Sequence, residues 1–175
     1  MMGLTGKKIA ILVAEGVEDL EYSVVAMRMQ EEGAEVLTAG LDLKPVRGKN
    51  GLVVVPDTLI ESLSADELFG LVLPGGWAPD KLRRYAVVKD LIAKVHAQGK
   101  IIGIICHGGL LAISAKIITG GHATGSLGIK DDLENAGAAW LDTPAFREGN
   151  LVWGRVVADI PAFNKELVAA LLEKA

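Results

Sequence analysis

The chain has 175 residues, of which 50% are hydrophobic, 23% charged and 5% aromatic, and its formal net charge is −4. This apolar fraction excludes an intrinsically disordered chain, and the length predicts a single domain over residues 1–175. The excess of acidic residues argues against a protein that binds nucleic acid or anionic membranes, since both partners prefer a basic face. The only cysteine, Cys106, excludes an intrachain disulfide and a multi-cysteine zinc site.

No targeting signal is visible in the sequence. The N-terminus has no apolar segment followed by a small-residue cleavage site. The longest uncharged stretch, residues 101–115, is shorter than the roughly 17–25 residues that a membrane span requires. These features predict a cytoplasmic protein, and the reducing cytosol suits a lone thiol.

The first half of the chain alternates strand-like and helix-like segments. An apolar run over residues 8–14 predicts a buried parallel strand. A helix is predicted over residues 18–32, with Leu20, Val24 and Met27 as its apolar period and Gly33 as its end. Further strands are predicted at residues 35–39, at 52–55 after the Asn50-Gly51 turn, and at 71–73 before Pro74-Gly75-Gly76.

The second half continues this alternation. A helical region begins at Pro79 and extends to Gln98, with a break near Tyr85. The remaining predicted elements are a buried strand at 100–105, a helix at 110–115, a small β-hairpin at 146–157 and an amphipathic helix at 161–174. The pattern predicts an α/β fold whose mostly parallel sheet is covered by helices on both faces. Ligands of such folds bind at the carboxyl ends of the strands.

The strongest local signal is the segment Ile104-Ile105-Cys106-His107-Gly108-Gly109. A buried strand that runs through a glycine turn into a helix predicts a nucleophile elbow, a sharp turn that projects a reactive side chain above the sheet. The helix N-terminus and the imidazole of His107 would favour the thiolate of Cys106. The alternative is a structural cysteine in the core, but the glycines and the histidine favour a reactive thiol.

His107 is the best candidate for a catalytic imidazole, and a turn-capping role is its alternative. The other histidines are His96, which is expected to be solvated at a helix end, and His122, which lies in a glycine-flanked loop. No carboxylate stands two residues after His122, so the His-x-Glu pair of glutamine amidotransferases is absent.

Asp80 follows the strand-end turn and is a candidate to orient the base, although helix capping is an equally simple role for it. Gly75 and Gly76 form a turn with free backbone N–H groups. Such N–H groups could make an oxyanion hole together with the N–H of His107, and a plain tight turn is the alternative.

An acidic segment, residues 15–21, follows the first strand. Most of its carboxylates are expected to face solvent as charges at a helix N-terminus. Glu21 falls on a different part of the first turns and is a candidate to point inward. Like charge and desolvation near a thiolate would keep this carboxyl protonated, so that it could donate a hydrogen bond to the sulfur or to a substrate.

These motifs resemble the PfpI-type family of intracellular cysteine peptidases, in the glutamine amidotransferase-like superfamily that includes the Parkinson-disease-linked protein deglycase. The matching segments occur in order along nearly the whole chain: residues 18–21, 71–76, 78–80, 104–108, 113–115, 128–132, 135–137 and 159–163. The cysteine elbow together with Leu-Pro-Gly-Gly is specific, and Gly-Ile-Lys-Asp-Asp followed by Asn-Ala-Gly narrows the match to the PfpI branch.

The resemblance implies a flavodoxin-like three-layer sandwich, with Cys106 as nucleophile, His107 as its partner and Glu21 as a buried acid beside the sulfur. In this branch an acidic residue at the Asp80 position reaches the site from a neighbouring subunit, which implies a homodimer and in some members a hexamer. The activities of the family include peptidase, glyoxalase, deglycase and chaperone-like stress protection.

The sequence departs from the family pattern at three places. Gly109-Leu110 replaces a common Pro-Gln pair, which predicts a looser elbow and a more apolar pocket. Ser126 stands near the pocket where the branch often has tyrosine, and Asp80 is one methylene shorter than the frequent glutamate. Trp77 occupies a variable position and is expected to line the substrate site, with a surface or interface position as the alternative.

The leading hypothesis is a cysteine-dependent hydrolase of peptides or amides that uses Cys106, His107, Glu21 and Asp80 of a partner. Gly76 and His107 would supply the oxyanion hole, and Gly75, Trp77 and Ser126 would contact the substrate. No metal or organic cofactor is required. The alternatives are a glyoxalase or deglycase for 2-oxoaldehydes and their adducts, a thiol-based redox or stress sensor, and a small-molecule-binding or holdase module.

Overall fold

The computed structural model describes residues 3–175. Its first half contains one helix and six strands: β1 (Lys8–Leu12), α1 (Asp19–Glu31), β2 (Glu35–Gly40), β3 (Val46–Arg47), β4 (Val53–Val54), β5 (Thr58–Leu59) and β6 (Gly70–Leu73). The turn predicted at Asn50-Gly51 joins β3 to β4 as an antiparallel hairpin.

The second half carries the other helices and strands: α2 (Ala78–Leu82), α3 (Ala86–Ala97), β7 (Ile101–Ile105), α4 (Gly109–Ser114), β8 (His122–Ala123), α5 (Lys130–Asn135), β9 (Ala139–Trp140), β10 (Ala145–Glu148), β11 (Leu151–Gly154) and α6 (Ile160–Lys174). The break predicted near Tyr85 is confirmed, because Tyr85 has an extended backbone between α2 and α3. The predicted hairpin is also present, but its second strand ends at Gly154, three residues earlier than predicted.

The main sheet has seven strands in the order β10-β11-β7-β6-β1-β2-β5. All neighbouring pairs are parallel except β10 with β11. The central strands β2, β1, β6, β7 and β11 follow the flavodoxin-like order 2-1-3-4-5, so the predicted fold class is confirmed. This order places the carboxyl ends of β1, β6 and β7 side by side.

Helices cover both faces of the sheet and form two apolar layers. On one face, α1 and α6 pack through Val25, Met29, Phe163 and Leu167, all fully or almost fully buried. The other face is covered by residues of α2, α3, α4 and α5, including Leu82, Val88, Leu111 and Leu133. The predicted apolar face of the C-terminal helix is therefore confirmed.

The side of helix α1 that packs on the sheet is not the side that carries its predicted apolar residues. Leu20, Val24 and Met27 are 47%, 37% and 66% exposed. The side chain of Glu18 caps the helix by accepting the N–H groups of Leu20 and Glu21. Glu21, Val25 and Met29 face the sheet instead. The side chain of Glu21 is therefore buried at the edge where the C-terminal ends of the strands meet.

Among the helices in residues 3–175, none combines the length and the apolar character that crossing a bilayer requires.

Candidate active site

Cys106 lies at the sharp turn between β7 and α4. Its φ angle is +57°, a left-handed backbone conformation that is uncommon for a residue other than glycine. The turn passes so close to β6 that a Cβ atom at Gly108 would lie 2.1 Å from the carbonyl oxygen of Leu73. The predicted elbow is therefore present, and a strained backbone at such a position is a feature of functional sites.

The imidazole of His107 lies beside the thiol, with 3.4 Å between its Nδ1 and the Sγ of Cys106. Burial lowers the pKa of His107, and the positive charge of Lys49 lowers it further. A neutral imidazole in contact with a thiol can accept the thiol proton.

Glu21 lies beneath the thiol and is completely buried. Its Oε2 accepts the backbone N–H of Gly75 at 2.7 Å, and its carboxyl lies close enough to the thiol of Cys106 for each group to shift the pKa of the other. A Cβ atom at Gly75 would lie 2.7 Å from that Oε2 and 2.9 Å from the Cβ of Cys106, so only glycine allows this approach. The prediction that Glu21 points inward agrees with this geometry.

Burial shifts both the carboxyl and the thiol toward their neutral forms. Burial raises the pKa of Glu21 to about 7, the charge of Glu18 adds to the rise, and the hydrogen bond from Gly75 opposes it. Burial and then the charge of Glu21 raise the pKa of Cys106 to about 12. The structure thus contradicts the expectation of a favoured thiolate, because desolvation outweighs the effect of the neighbouring N–H groups.

Two backbone N–H groups, those of Gly76 and His107, lie close enough to the sulfur of Cys106 to lower its pKa. These are the same two N–H groups that the sequence suggested as an oxyanion hole. Gly76 has a φ angle of +75°, and a Cβ atom there would lie 2.3 Å from the carbonyl oxygen of Gly16. A left-handed glycine is therefore required to direct this N–H toward the site.

A pocket of about 410 Å³ opens in front of Cys106. Trp77 and Ser126 belong to its walls, as predicted, whereas Gly75 is not among the wall residues and contacts Glu21 behind them. The Ser126 hydroxyl accepts the N–H of Gly128. The complete wall consists of Glu18, Lys49, Gly76, Trp77, Cys106, His107, Ser126, Val156, Val157 and Ala158.

Lys49 is a wall residue that the sequence analysis did not identify. It lies in the turn of the β3–β4 hairpin, and its backbone N–H donates to the carbonyl of Val17 at 2.8 Å. Its ammonium group is close enough to lower the pKa of both Glu21 and His107. No local sequence signal marks Lys49, because the hairpin approaches the site through long-range contacts.

The contacts that hold this hairpin come from the acidic segment. Glu18 accepts from the side-chain amide of Asn50 at 3.0 Å, and Asp19 accepts the backbone N–H groups of Asn50 and Leu52 at 2.8 and 2.7 Å. Glu18 and Asp19 are only 4% and 9% exposed. The prediction that most of these carboxylates face solvent is therefore wrong for both, because the hairpin covers them.

Asp80 lies in the first turn of α2, where its side chain is 62% exposed and forms an ion pair with Arg84. It caps no backbone N–H of that helix. Within residues 3–175 no hydrogen bond or ion pair joins it to His107. A contact between Asp80 and the His107 of a partner remains a prediction, and it would require the pair with Arg84 to open.

Comparisons with known proteins agree with this architecture. Residues 7–170 match the model of the DJ-1/PfpI family. Deglycase PfpI from Pyrococcus furiosus is 37% identical over 94% of this chain and 99% of its own length. The putative cysteine protease YraA from Bacillus subtilis is 35% identical over 91% of this chain and 95% of its own length.

A solved structure with the same architecture is a two-domain protein from Anabaena variabilis, which has a DJ-1/ThiJ/PfpI-like and a ferritin-like domain. It superimposes with a TM-score of 0.92 at 34% identity over 94% of this chain. The chain spans about half (48%) of that two-domain protein.

Proposed function

The chain belongs to the DJ-1/PfpI family, and from this premise we propose that it converts 2-oxoaldehydes or their adducts by nucleophilic attack of Cys106. One observation carries the choice of substrate. The carboxyl of Glu21, in contact with the thiol, has a pKa of about 7. Such a group accepts and donates protons equally well at neutral pH, which is what an internal proton shift between neighbouring carbons demands.

The reaction begins when the sulfur of Cys106 bonds to the aldehyde carbon. The thiol proton passes to the Glu21 carboxylate or to His107 while the carbonyl oxygen gains negative charge, and the same group then returns that proton to the oxygen, which becomes a hydroxyl. The N–H groups of Gly76 and His107 surround the sulfur and are suited to bind that oxygen. Where the aldehyde carbon carries an amine as an adduct, the sulfur displaces the amine, which leaves with a proton.

Glu21 then moves the proton that converts the adduct into an acid. Its carboxylate removes the hydrogen of the former aldehyde carbon and returns it to the neighbouring carbon, while the hydroxyl proton of the first carbon passes to the oxygen of the neighbouring carbonyl. The first carbon is thereby oxidised to a thioester while the second is reduced to an alcohol. Water hydrolyses the thioester, which releases a 2-hydroxy acid and the free thiol, so water is the only co-reactant.

The homo-oligomer expected from the sequence enters this proposal through Asp80. Its carboxylate, exposed on α2, would reach His107 of a partner subunit and orient the imidazole. Such an orienting acid completes the usual arrangement of nucleophile and base.

Peptide or amide hydrolysis is the second candidate, and the name of the YraA relative favours it. Peptide hydrolysis specifically requires a protonated imidazole, which donates its proton to the departing amine. His107 meets that requirement poorly, because burial and Lys49 lower its pKa. We therefore place the 2-oxoaldehyde reaction first.

The test measures lactate formed from methylglyoxal, amine released from a methylglyoxal-treated amino acid, and cleavage of a fluorogenic peptide. Cys106→Ala should abolish lactate formation, whereas Ser114→Ala, a change in the helix after the elbow, should retain it. Peptide cleavage without lactate would select the second candidate. No turnover, with a stable gain of two oxygens at Cys106 under mild peroxide, would instead select the redox sensor.

A further inference from the structure

A second cleft adjoins the pocket in front of Cys106. Its volume is about 520 Å³, and Lys49 and Trp77 belong to the walls of both cavities. The remaining walls come from the β3–β4 hairpin, from the turn after β1, and from α2 with the residues that follow it. A molecule that reacts at Cys106 can therefore extend past Lys49 and Trp77 into this cleft.

The cleft is basic on a chain that is acidic overall. Four cationic residues line it, namely Arg47, Lys49, Lys81 and Arg84, against the single carboxylate of Glu15. Arg84 is paired with Asp80, but the ion pairs of residues 3–175 include none with the other three cations. Glu15 uses one oxygen to accept the backbone N–H of Arg47. The cleft thus holds an excess of positive charge available to a ligand.

Two exposed aromatic side chains stand among these cations. Trp77 is 65% exposed and Tyr85 is 44% exposed. The indole lies against the backbone of Gly16, where a Cβ atom would come within 3.0 Å of Trp77 atoms. An indole held in this way at the border of two cavities offers a face for a planar group.

We propose that this cleft binds the distal anionic group of the substrate, so that the preferred substrates are 2-oxoaldehydes or adducts carried on a ring that bears a carboxylate or phosphate. The reactive carbonyl lies at Cys106 and the ring packs on Trp77. The distal carboxylate or phosphate is bound by Lys49, Lys81 and Arg47. This inference rests on the proposed 2-oxoaldehyde reaction and names its substrate class.

The kinetic test compares phenylglyoxal with 4-carboxyphenylglyoxal, which share the reacting group and the ring. The wild-type protein should have a lower KM for the carboxylated substrate. Arg47→Met with Lys81→Met should raise that KM about 10-fold and leave the KM for phenylglyoxal unchanged, because charge-assisted contacts of this kind carry about that much affinity. Lys44→Met, an exposed lysine before the same hairpin, is the matched control.

A binding test separates this inference from the proposed reaction. Phenyl phosphate cannot react, so its affinity for Cys106→Ser can be measured by calorimetry whether or not any substrate turns over. Binding that weakens about 10-fold in the double variant supports the cleft. Absence of binding to Cys106→Ser overturns it, even if methylglyoxal is converted normally.

The cleft could instead be covered by a second copy of the chain. In that case the double variant would change the sedimentation coefficient and leave the KM ratio of the two glyoxals at its wild-type value. That result would also overturn the inference. An unchanged sedimentation coefficient with a raised KM for the carboxylated substrate alone supports it.

Discussion

The carboxyl of Glu21 accepts the backbone N–H of Gly75 across 2.7 Å, although 54 residues separate the two in the chain. This contact joins the first turn of α1 to the turn after β6, and it holds the carboxyl beneath the sulfur of Cys106. Burial makes this carboxyl costly to ionise even with that hydrogen bond, so this geometry is expected to serve the chemistry of the site rather than stability.

Glu21→Gln keeps an oxygen for the Gly75 N–H but cannot ionise or move a proton. We expect the conversion of methylglyoxal to fall by about 10²–10⁴-fold. The thiol should nevertheless become easier to ionise, because the negative charge of Glu21 is one cause of the raised pKa of Cys106. The pH profile of alkylation by iodoacetamide should therefore shift to lower pH in the variant.

Glu31→Gln is the control for this change, because Glu31 lies on the same helix with an exposed side chain that pairs with Arg28. It should leave both the turnover and the alkylation profile unchanged. An alkylation profile that moves to higher pH in Glu21→Gln would contradict the inferred effect of the carboxylate on the thiol.

The same carboxyl makes the stability of the fold depend on pH. Its pKa is raised from 4.5 to about 7 on folding, so between these values the folded chain binds more protons than the unfolded chain. The free energy of unfolding must then fall as pH rises through this range, by up to about 3 kcal/mol from this group. The contribution is fully present below pH 4.5 and lost above pH 7.

Urea denaturation of the wild type and of Glu21→Gln at pH 5 and pH 8 measures this effect. The free energy of unfolding of the variant, relative to that of the wild type, should be higher at pH 8 than at pH 5. The amide has no ionisation cost at pH 8, and the other titrating groups cancel in the difference. A stability difference that is the same at both pH values would mean that Glu21 titrates normally in the folded chain.

The sheet and the elbow could be predicted because their signals are local. Apolar runs that end in glycine turns mark β1, β6 and β7, and the glycines around Cys106 mark the turn that follows β7. The side of α1 that faces the sheet could be predicted only in part. The inward position of Glu21 agrees with the expectation, but the Glu18 cap and the sheet leave the apolar Leu20 and Met27 exposed.

The site residues that could not be predicted reach the site through contacts between segments that are far apart in the sequence. Lys49 arrives on a hairpin that Asp19 holds from more than thirty positions away. The pKa of Cys106 was predicted in the wrong direction for a related reason. The helix N-terminus is visible in the sequence, but the depth of burial of the sulfur is a property of the folded chain.

Subunit mixing tests whether Asp80 acts on a neighbouring subunit. Asp80→Ala and Cys106→Ala should each be nearly inactive alone. When the two are unfolded together and refolded at equal concentrations, mixed dimers pair an intact Cys106 with an intact Asp80 of the other chain. Activity should then recover to about a quarter of the wild type if the chain forms a symmetric dimer. No recovery, with mixed dimers demonstrated by mass spectrometry, would mean that Asp80 acts within its own chain or not at all.

Arg155 anchors the segment that follows β11, which supplies part of the pocket wall. Its guanidinium pairs with Asp159 at 2.9 Å and with Asp142 at 2.8 Å, and it directly precedes the wall residues 156–158. Arg155→Met should loosen this wall and raise KM by about 3- to 10-fold, because small displacements of positioning groups are costly. The kcat value at saturation should change little, since Cys106, His107 and Glu21 are held by other elements.

Arg147→Met is the control, because Arg147 lies on the adjacent hairpin and the change removes its ion pair with Glu173. It should leave both constants unchanged. A fall in kcat with constant KM would show instead that Arg155 acts on the reacting groups.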